Sequence, residues 1–149
     1  MKEEFCYLLR VRYAECDAQK VVFNAKYVEY IDIAVTEFLR VTLGDYKDLI
    51  ESGIDYQVVS VTVDWKAPAR FDEVLAISVR LLKMGNTSFT LQLGFYNYQT
   101  KTTVAIGKIT YVMVNGKDHT KMAIPADMRV TLEQGAPGVL VNHSGIEIK

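Results

Sequence analysis

Residues 11–40, V-R-Y-A-E-C-D-A-Q-K-V-V-F-N-A-K-Y-V-E-Y-I-D-I-A-V-T-E-F-L-R, decide the fold of this chain. The second half of this stretch repeats apolar residues at helical spacing, which predicts one long amphipathic helix buried over more than half of its circumference. Asn24 precedes the pattern and is predicted to cap the helix. Gly44 is predicted to end it, in the usual role of glycine at a helix C-terminus.

Most of the remaining sequence alternates apolar and polar residues, which is typical of β-strands. Strands are predicted around residues 5–13, 59–66, 75–81, 89–95 and 104–114. The turn at Gly85 and Asn86 joins the third and fourth of these into a hairpin. Because the one strongly apolar helix has to bury its face against the strands, the pattern predicts an α+β domain with an antiparallel sheet.

The composition predicts a single domain that spans residues 1–149. The chain is 50% hydrophobic and 23% charged, with a net charge of −1, which is ordinary for a soluble globular protein. This balance argues against a nucleic-acid partner, which would need a basic surface. No apolar run approaches the roughly 18 residues of a membrane span. The glycines and proline after residue 125 predict a less ordered C-terminal tail at residues 126–149.

The cysteines and the N-terminus predict where the protein works. Cys6 and Cys16 are too few for a disulfide framework and lack the spacing of a metal site. The acidic start M-K-E-E-F-C does not resemble a signal peptide. We therefore expect a cytoplasmic protein with free thiols and no metal.

Asp17 is the candidate catalytic residue, because it lies in the loop between the first strand and the long helix. A carboxylate near a helix N-terminus, where amide N–H groups create positive potential, suits attack on a polarised carbonyl or activation of a water. The amides near Asn24 are the candidate donors to the carbonyl oxygen. Aspartate in such a loop also commonly serves only in a turn or a cap, so the pattern leaves both roles open.

Cys16 offers a second candidate nucleophile beside Asp17. A reactive cysteine needs a base, and the only histidines, His119 and His143, lie far away in the sequence. An unreactive thiol is therefore the favoured interpretation, and the two distant histidines also argue against a metal site.

Three segments together carry a resemblance to a known family. They are Y-x-E-x-D followed by V-V-F-N-A-K-Y at residues 13–27, T-E-F-L-R at 36–40, and W-K-A-P-A-R-F-D-E-V-L-A-I at 65–77. In this order and spacing they resemble the hotdog-fold thioesterases of the 4-hydroxybenzoyl-CoA thioesterase type, over roughly residues 5–114. The resemblance implies a five-stranded antiparallel sheet wrapped around one long central helix. It also implies a homodimer, joined sheet edge to sheet edge, or a homotetramer.

The resemblance implies an activity as well as a fold. It implies an acyl-CoA thioesterase that releases CoA and a carboxylic acid without a cofactor, with its site at the dimer interface. Asp17 and Asn24 are then the expected catalytic residues, and Lys83 and Ser88 the expected contacts to the CoA substrate.

The chain departs from the pattern of that family at two lysines and at Val35, where the family often has an arginine in the helix. Lys20 stands where the family often has glycine, and Lys26 where it often has asparagine or a small residue. Some branches have a histidine at the position of Val21 or Asn24, which this chain lacks, so Asp17 would act with backbone amides alone. The alternatives are a hotdog dehydratase, which the missing histidine disfavours, and a non-catalytic binder of acyl-CoA or another small ligand.

Overall fold

The computed structural model describes residues 3–148 and contains one six-stranded sheet that packs against a long helix. The elements in chain order are β1 Phe5–Arg10, a 3₁₀ turn Tyr13–Glu15, α1 Lys26–Leu43, α2 Tyr46–Glu51, β2 Ile54–Trp65, β3 Val74–Met84, β4 Ser88–Asn97, β5 Thr103–Asn115, α3 Ala126–Gln134 and β6 Leu140–Asn142. The strand order is β2-β5-β4-β3-β1-β6. The predicted α+β class is confirmed, and the five strands β1–β5 form the predicted antiparallel arrangement.

Helix α1 buries the face that its sequence spacing predicts. Its buried residues are Tyr27, Tyr30, Ile31, Ala34, Val35, Phe38 and Leu39. They form a single core with the inward-facing residues of the strands. The ring of Phe38 meets that of Phe5 edge to face at 5.4 Å, and Tyr27 meets Phe95 in the same way at 5.5 Å. These contacts hold both ends of α1 against the sheet.

Gly107 allows α1 to lie close to β5. A Cβ at this position would lie 3.0 Å from Cδ1 of Ile31 and 3.5 Å from a ring carbon of Phe95. Ile31 and Phe95 are both fully buried, so neither can move aside without displacing other core residues. The contact between helix and sheet therefore depends on the missing side chain.

The C-terminal segment contains regular structure that the sequence pattern does not predict. Helix α3 buries Leu132, and the guanidinium of Arg129 donates to the carbonyl oxygens of Gly85 and Asn86 at 2.7 and 2.9 Å. Strand β6 runs parallel to β1. The segment predicted as a less ordered tail, residues 126–149, thus contains a helix and a strand. Residues 1, 2 and 149 of the predicted single domain lie outside the described residues.

No helix within residues 3–148 is both long and apolar enough to cross a bilayer.

We predict that Gly107→Val lowers the free energy of unfolding by about 1–3 kcal/mol, because the added methyl groups overpack the contact with Ile31. Urea denaturation followed by circular dichroism measures the change. Lys108→Val is the matched control, because Lys108 is the neighbouring residue on the exposed face of β5. That control should stay within about 0.5 kcal/mol of the wild type. An unchanged denaturation midpoint for Gly107→Val would contradict the close approach of α1.

Candidate active site

Asp17 is held in a small hairpin, residues 15–23, that we call the Asp17 hairpin. The amide of Phe23 donates to the carbonyl oxygen of Glu15, and the amide of Asp17 to that of Val21, both at 2.9 Å. A single antiparallel bridge between Cys16 and its partner on the other arm completes the ladder. The hairpin therefore fixes the backbone of Asp17 between β1 and α1.

The Asp17 hairpin is attached to the segment that precedes β3. The amide of Val22 donates to the carbonyl oxygen of Ala69 at 2.8 Å, and Val21 forms a bridge with Arg70. Val22 and Ala69 are both buried. Two of the three segments that carry the family resemblance thus pack against each other and form one unit.

The carboxylate of Asp17 is half-buried beside a hollow. Its Oδ1 atom accepts the amide N–H of Gln19 at 2.8 Å, which forms a tight aspartate turn. No hydrogen bond joins Oδ2 to any residue in the range 3–148. The hollow has a volume of about 270 Å³ and is lined by Tyr13, Cys16, Asp17, Lys20 and Phe71. One carboxylate oxygen is therefore available to a molecule bound in the hollow.

The aromatic wall of this hollow was not predicted from the sequence. The rings of Tyr13 and Phe71 meet edge to face at 6.0 Å, and both side chains are more than half exposed. It is unusual for two neighbouring aromatic side chains to remain exposed to solvent beside a hollow. The available signal was the position of each one inside a segment that resembles the family, four residues before Asp17 in one case and directly after Arg70 in the other.

The two amides just before α1 follow the Asp17 hairpin directly in the chain. Neither Asn24 nor Ala25 donates its backbone N–H to an acceptor in the described part of the chain. Both N–H groups lie at the positive end of the dipole of α1. Val21 is the hairpin partner of Asp17, and Asn24 lies three residues after Val21. Three residues of extended backbone span roughly 10 Å. Asn24 thus follows directly after Phe23, where the hairpin that holds Asp17 ends.

The predicted helix cap at Asn24 is wrong. Helix α1 begins at Lys26, Ala25 occupies the cap position, and no side chain caps the helix. The first turn is tightened instead, since the amides of Lys26, Tyr27 and Val28 each donate to the carbonyl three residues earlier. Because those carbonyls satisfy the amides, the exposed side chain of Asn24 is not needed as a cap.

The structure does not bring Lys83 and Ser88 to Asp17 within one chain. They lie at the turn between β3 and β4, whereas the Asp17 hollow lies near the start of β3 at Val74. Nine residues of extended strand separate Val74 from Lys83, or about 30 Å. Their role in CoA binding stays a prediction, and it requires a second copy of the chain.

The thiol of Cys16 has no histidine beside it. Its Sγ atom lies 3.8 Å from the carbonyl oxygen of Arg12. His143 pairs instead with the hydroxyl of Tyr7 at 3.0 Å, and His119 pairs with a distant glutamine. A cysteine nucleophile would therefore lack a base. Residues 3–148 also contain no group of three or more side chains suited to hold a metal ion.

Glu15 anchors the Asp17 hairpin to α1. Its carboxylate is buried, and Oε1 accepts the hydroxyl of Tyr30 at 2.9 Å and the amide of Arg12 at 2.8 Å. Oε2 accepts the guanidinium of Arg12 at 2.7 and 3.1 Å. Four hydrogen bonds from three groups thus join one carboxylate to the helix and to the preceding turn.

These hydrogen bonds determine the ionisation of Glu15. Burial by itself would raise the pKa of the Glu15 carboxyl, but the donors from Arg12 and Tyr30 outweigh it, so the pKa lies below its ordinary value. Burial, and then the bond to Glu15, raises the pKa of Tyr30, which keeps the hydroxyl protonated as a donor. Because the pKa of Glu15 is lower in the folded state, its stabilisation is present above the unfolded pKa. It is lost as the pH falls through the folded value.

We predict that Glu15→Gln lowers the free energy of unfolding by about 1–3 kcal/mol at neutral pH, because the glutamine cannot accept all the hydrogen bonds and turns an N–H toward the guanidinium of Arg12. The melting temperature of the wild type should fall between about pH 5 and 3, and that of the variant should fall less. Thermal melts across this range measure both effects. Glu29→Gln is the control, because Glu29 is exposed and pairs only with Lys26 on the surface. Equal pH profiles for Glu15→Gln and the wild type would refute the anchoring role.

Comparison with known proteins identifies the family. Residues 11–132 match the sequence model of the thioesterase-like superfamily. The chain belongs to this superfamily. The match includes the Asp17 hairpin, α1 and strands β2–β5, and it leaves residues 133–149 outside.

Individual relatives agree with this assignment. The acyl-CoA thioester hydrolase YbgC of Escherichia coli O6:H1 is 28% identical over 130 residues, which cover 87% of this chain and 96% of YbgC. The long-chain acyl-CoA thioesterase FadM of Escherichia coli K12 is 25% identical over 126 residues, or 85% of this chain and 95% of FadM. A solved gentisyl-coenzyme A thioesterase is 27% identical with a TM-score of 0.76, covering 85% of this chain and 98% of that one. The predicted hotdog thioesterase fold is confirmed.

Proposed function

We propose that this protein is an acyl-CoA thioesterase in which Asp17 drives hydrolysis of the thioester to CoA and a carboxylic acid. The observation that carries the proposal is the half-buried carboxylate with one free oxygen, beside a hollow of about 270 Å³. Membership of the thioesterase-like superfamily supports thioester chemistry, and the names of YbgC and FadM support CoA as the leaving group.

The proposed mechanism uses backbone donors and one acid. The carbonyl oxygen of the thioester accepts the amide N–H of Asn24 or Ala25, and one such donor typically lowers the barrier by roughly 3 kcal/mol. In the nucleophilic route an oxygen of Asp17 bonds to the acyl carbon, the C–S bond breaks, and CoA leaves as a thiolate that takes up a proton. Water then cleaves the resulting anhydride and regenerates the carboxylate.

The general-base route uses the same residues in a different order. Asp17 takes a proton from a water whose oxygen bonds to the acyl carbon, and the proton passes to the departing thiolate. Both routes need an ionised Asp17 and the same donors to the carbonyl oxygen. Neither needs a histidine, which agrees with the absence of that residue from the neighbouring positions 21 and 24.

We predict that Asp17→Asn lowers kcat by about a hundredfold or more, because asparagine is neither a nucleophile nor a base at this position. The fold should persist, since the amide oxygen can still accept the N–H of Gln19. Hydrolysis of short, long and aromatic acyl-CoAs is followed by thiol release with a colorimetric reagent.

Asp118→Asn is the matched control for this experiment. Asp118 forms the same kind of turn by accepting the amide of Thr120 at 3.0 Å, but it lies in the turn after β5. It should therefore retain full activity. Full activity of Asp17→Asn would refute the assignment of Asp17. Thermal stabilisation of the wild type by acyl-CoA without any thiol release would favour a non-catalytic binder instead.

We also propose that the protein is a homodimer joined through β2. This strand is 12 residues long and, within residues 3–148, pairs with β5 alone, so its other edge is open there. Val58 and Val59 on it are about half exposed, at 49% and 59%. A long, apolar, open edge invites pairing with another strand, and two copies of β2 would join two sheets into one. A homotetramer would need a further interface, which could bring Lys83 and Ser88 of one copy toward the Asp17 hollow of another.

We predict that Val59→Lys converts the dimer to a monomer, because the lysine places a charge on the edge of β2 where the two strands would pair. Light scattering after gel filtration gives the mass in solution. Val130→Lys is the control, because Val130 is similarly exposed but lies on α3. A monomeric wild type, or an unchanged mass for Val59→Lys, would contradict pairing through β2.

The predicted cytoplasmic location fits a CoA-dependent reaction. Cys6 and Cys16 are both free, and burial raises the pKa of Cys6 to about 11, which makes that thiol unreactive. The location itself stays a prediction.

A further inference from the structure

Lys20 has a backbone conformation that lysine rarely adopts. Its φ angle is 65°, in the left-handed region where a Cβ atom is strained and glycine is not. The residue closes the turn of the Asp17 hairpin, where its amide donates to the carbonyl oxygen of Asp17 at 2.9 Å. Strained residues cluster at functional sites, which points to a role for the side chain of Lys20 beside this candidate site.

Lys20 lines the same hollow as Asp17. None of the ion pairs formed within residues 3–148 includes it. Lys26, by contrast, pairs with Glu29, and the ammonium of Lys101 lies over the ring of Tyr98. Lys20 therefore adds a cation without an ion-pair partner to a hollow that is otherwise formed by aromatic rings, a thiol and one acid.

The position of this cation indicates which part of a substrate it meets. If Asp17 acts at the acyl carbon, the contents of the hollow are the acyl group and the thioester. The phosphates of CoA lie beyond the whole pantetheine arm. A volume of about 270 Å³ is roughly nine times the share of one water molecule in the liquid, which suits a short acyl group. An anionic acyl group in this hollow would be repelled by Asp17 and attracted by Lys20.

We propose that Lys20 makes the enzyme select short acyl groups that carry a carboxylate over neutral acyl groups of equal length. This inference rests on the proposed function, because it concerns the acyl group in the Asp17 hollow. The ammonium of Lys20 donates a charge-assisted hydrogen bond to the acyl carboxylate. The same bond offsets the repulsion between Asp17 and the acyl carboxylate. It also holds the far end of the acyl group while the thioester carbonyl accepts the amides at the start of α1.

The test compares glutaryl-CoA with pentanoyl-CoA, which differ by the terminal carboxylate. Lys20→Met should lower the ratio of kcat/KM for the two substrates by about tenfold or more, the usual size of a hydrogen bond to a charged group. Lys20→Arg should keep the ratio within about threefold, because the charge remains. Lys101→Met is the matched control, since Lys101 also has a positive φ of 64° but lies in the turn between β4 and β5. It should leave the ratio unchanged.

A second series uses the same acyl groups on N-acetylcysteamine, which has no phosphates. Lys20→Met should lower the ratio in this series as well. An unchanged ratio together with an equal loss for both CoA thioesters, absent from the phosphate-free series, would overturn the inference and assign Lys20 to a CoA phosphate. A ratio that Lys20→Met does not change in either series would overturn it while leaving the thioesterase activity in place. Absence of thiol release from every substrate would overturn the proposed function and the inference together.

Discussion

The carboxylate of Glu15 is the interaction on which the site depends. The Asp17 hairpin is only a few residues long and would not hold its shape alone, because each residue that it orders loses conformational entropy. Glu15 joins it to Tyr30 of α1 and to Arg12 through four hydrogen bonds. Helix α1 is in turn fixed against the sheet through the close contact of Ile31 with Gly107. The position of Asp17 is thus set by core packing that reaches it through the buried carboxylate of Glu15 and through the buried contact of Val22 with Ala69.

The sequence predicts the parts of this fold that repeat with a regular period. The buried face of α1, from Tyr27 to Leu39, follows from helical spacing, and the alternating strands follow from a period of two. The Asp17 hairpin could not be read in the same way. Its few residue pairs are too short to show a period, and the hydrogen bond that ties it to α1 joins Glu15 to Tyr30, 15 positions away in the sequence.

The remaining differences have similar causes. Helix α3 was missed because the sequence A-D-M-R-V-T-L-E-Q buries only Leu132 and therefore shows almost no apolar face. Its position depends on Arg129, which bonds to the turn between β3 and β4. At Asn24 the residue type favours a cap, but the tightened first turn of α1 satisfies the amides in another way. Asp17 was proposed from the sequence, whereas the hollow beside it became visible only once Phe71 was placed next to Tyr13.

Glu15 and Asp17 are two residues apart, and their hydrogen bonds give them different roles. Both oxygens of Glu15 accept donors of the protein, so this carboxylate has no free position for a ligand and serves as an anchor. The carboxylate of Asp17 has no hydrogen bond to α1; one oxygen closes a local turn, and the other accepts no hydrogen bond from residues 3–148. An exchange of roles would require Arg12 and Tyr30 to release Glu15, which would leave an unpaired charge in the core. Our proposal that Asp17 carries the chemistry therefore rests on the partners of Glu15 as much as on the position of Asp17 itself.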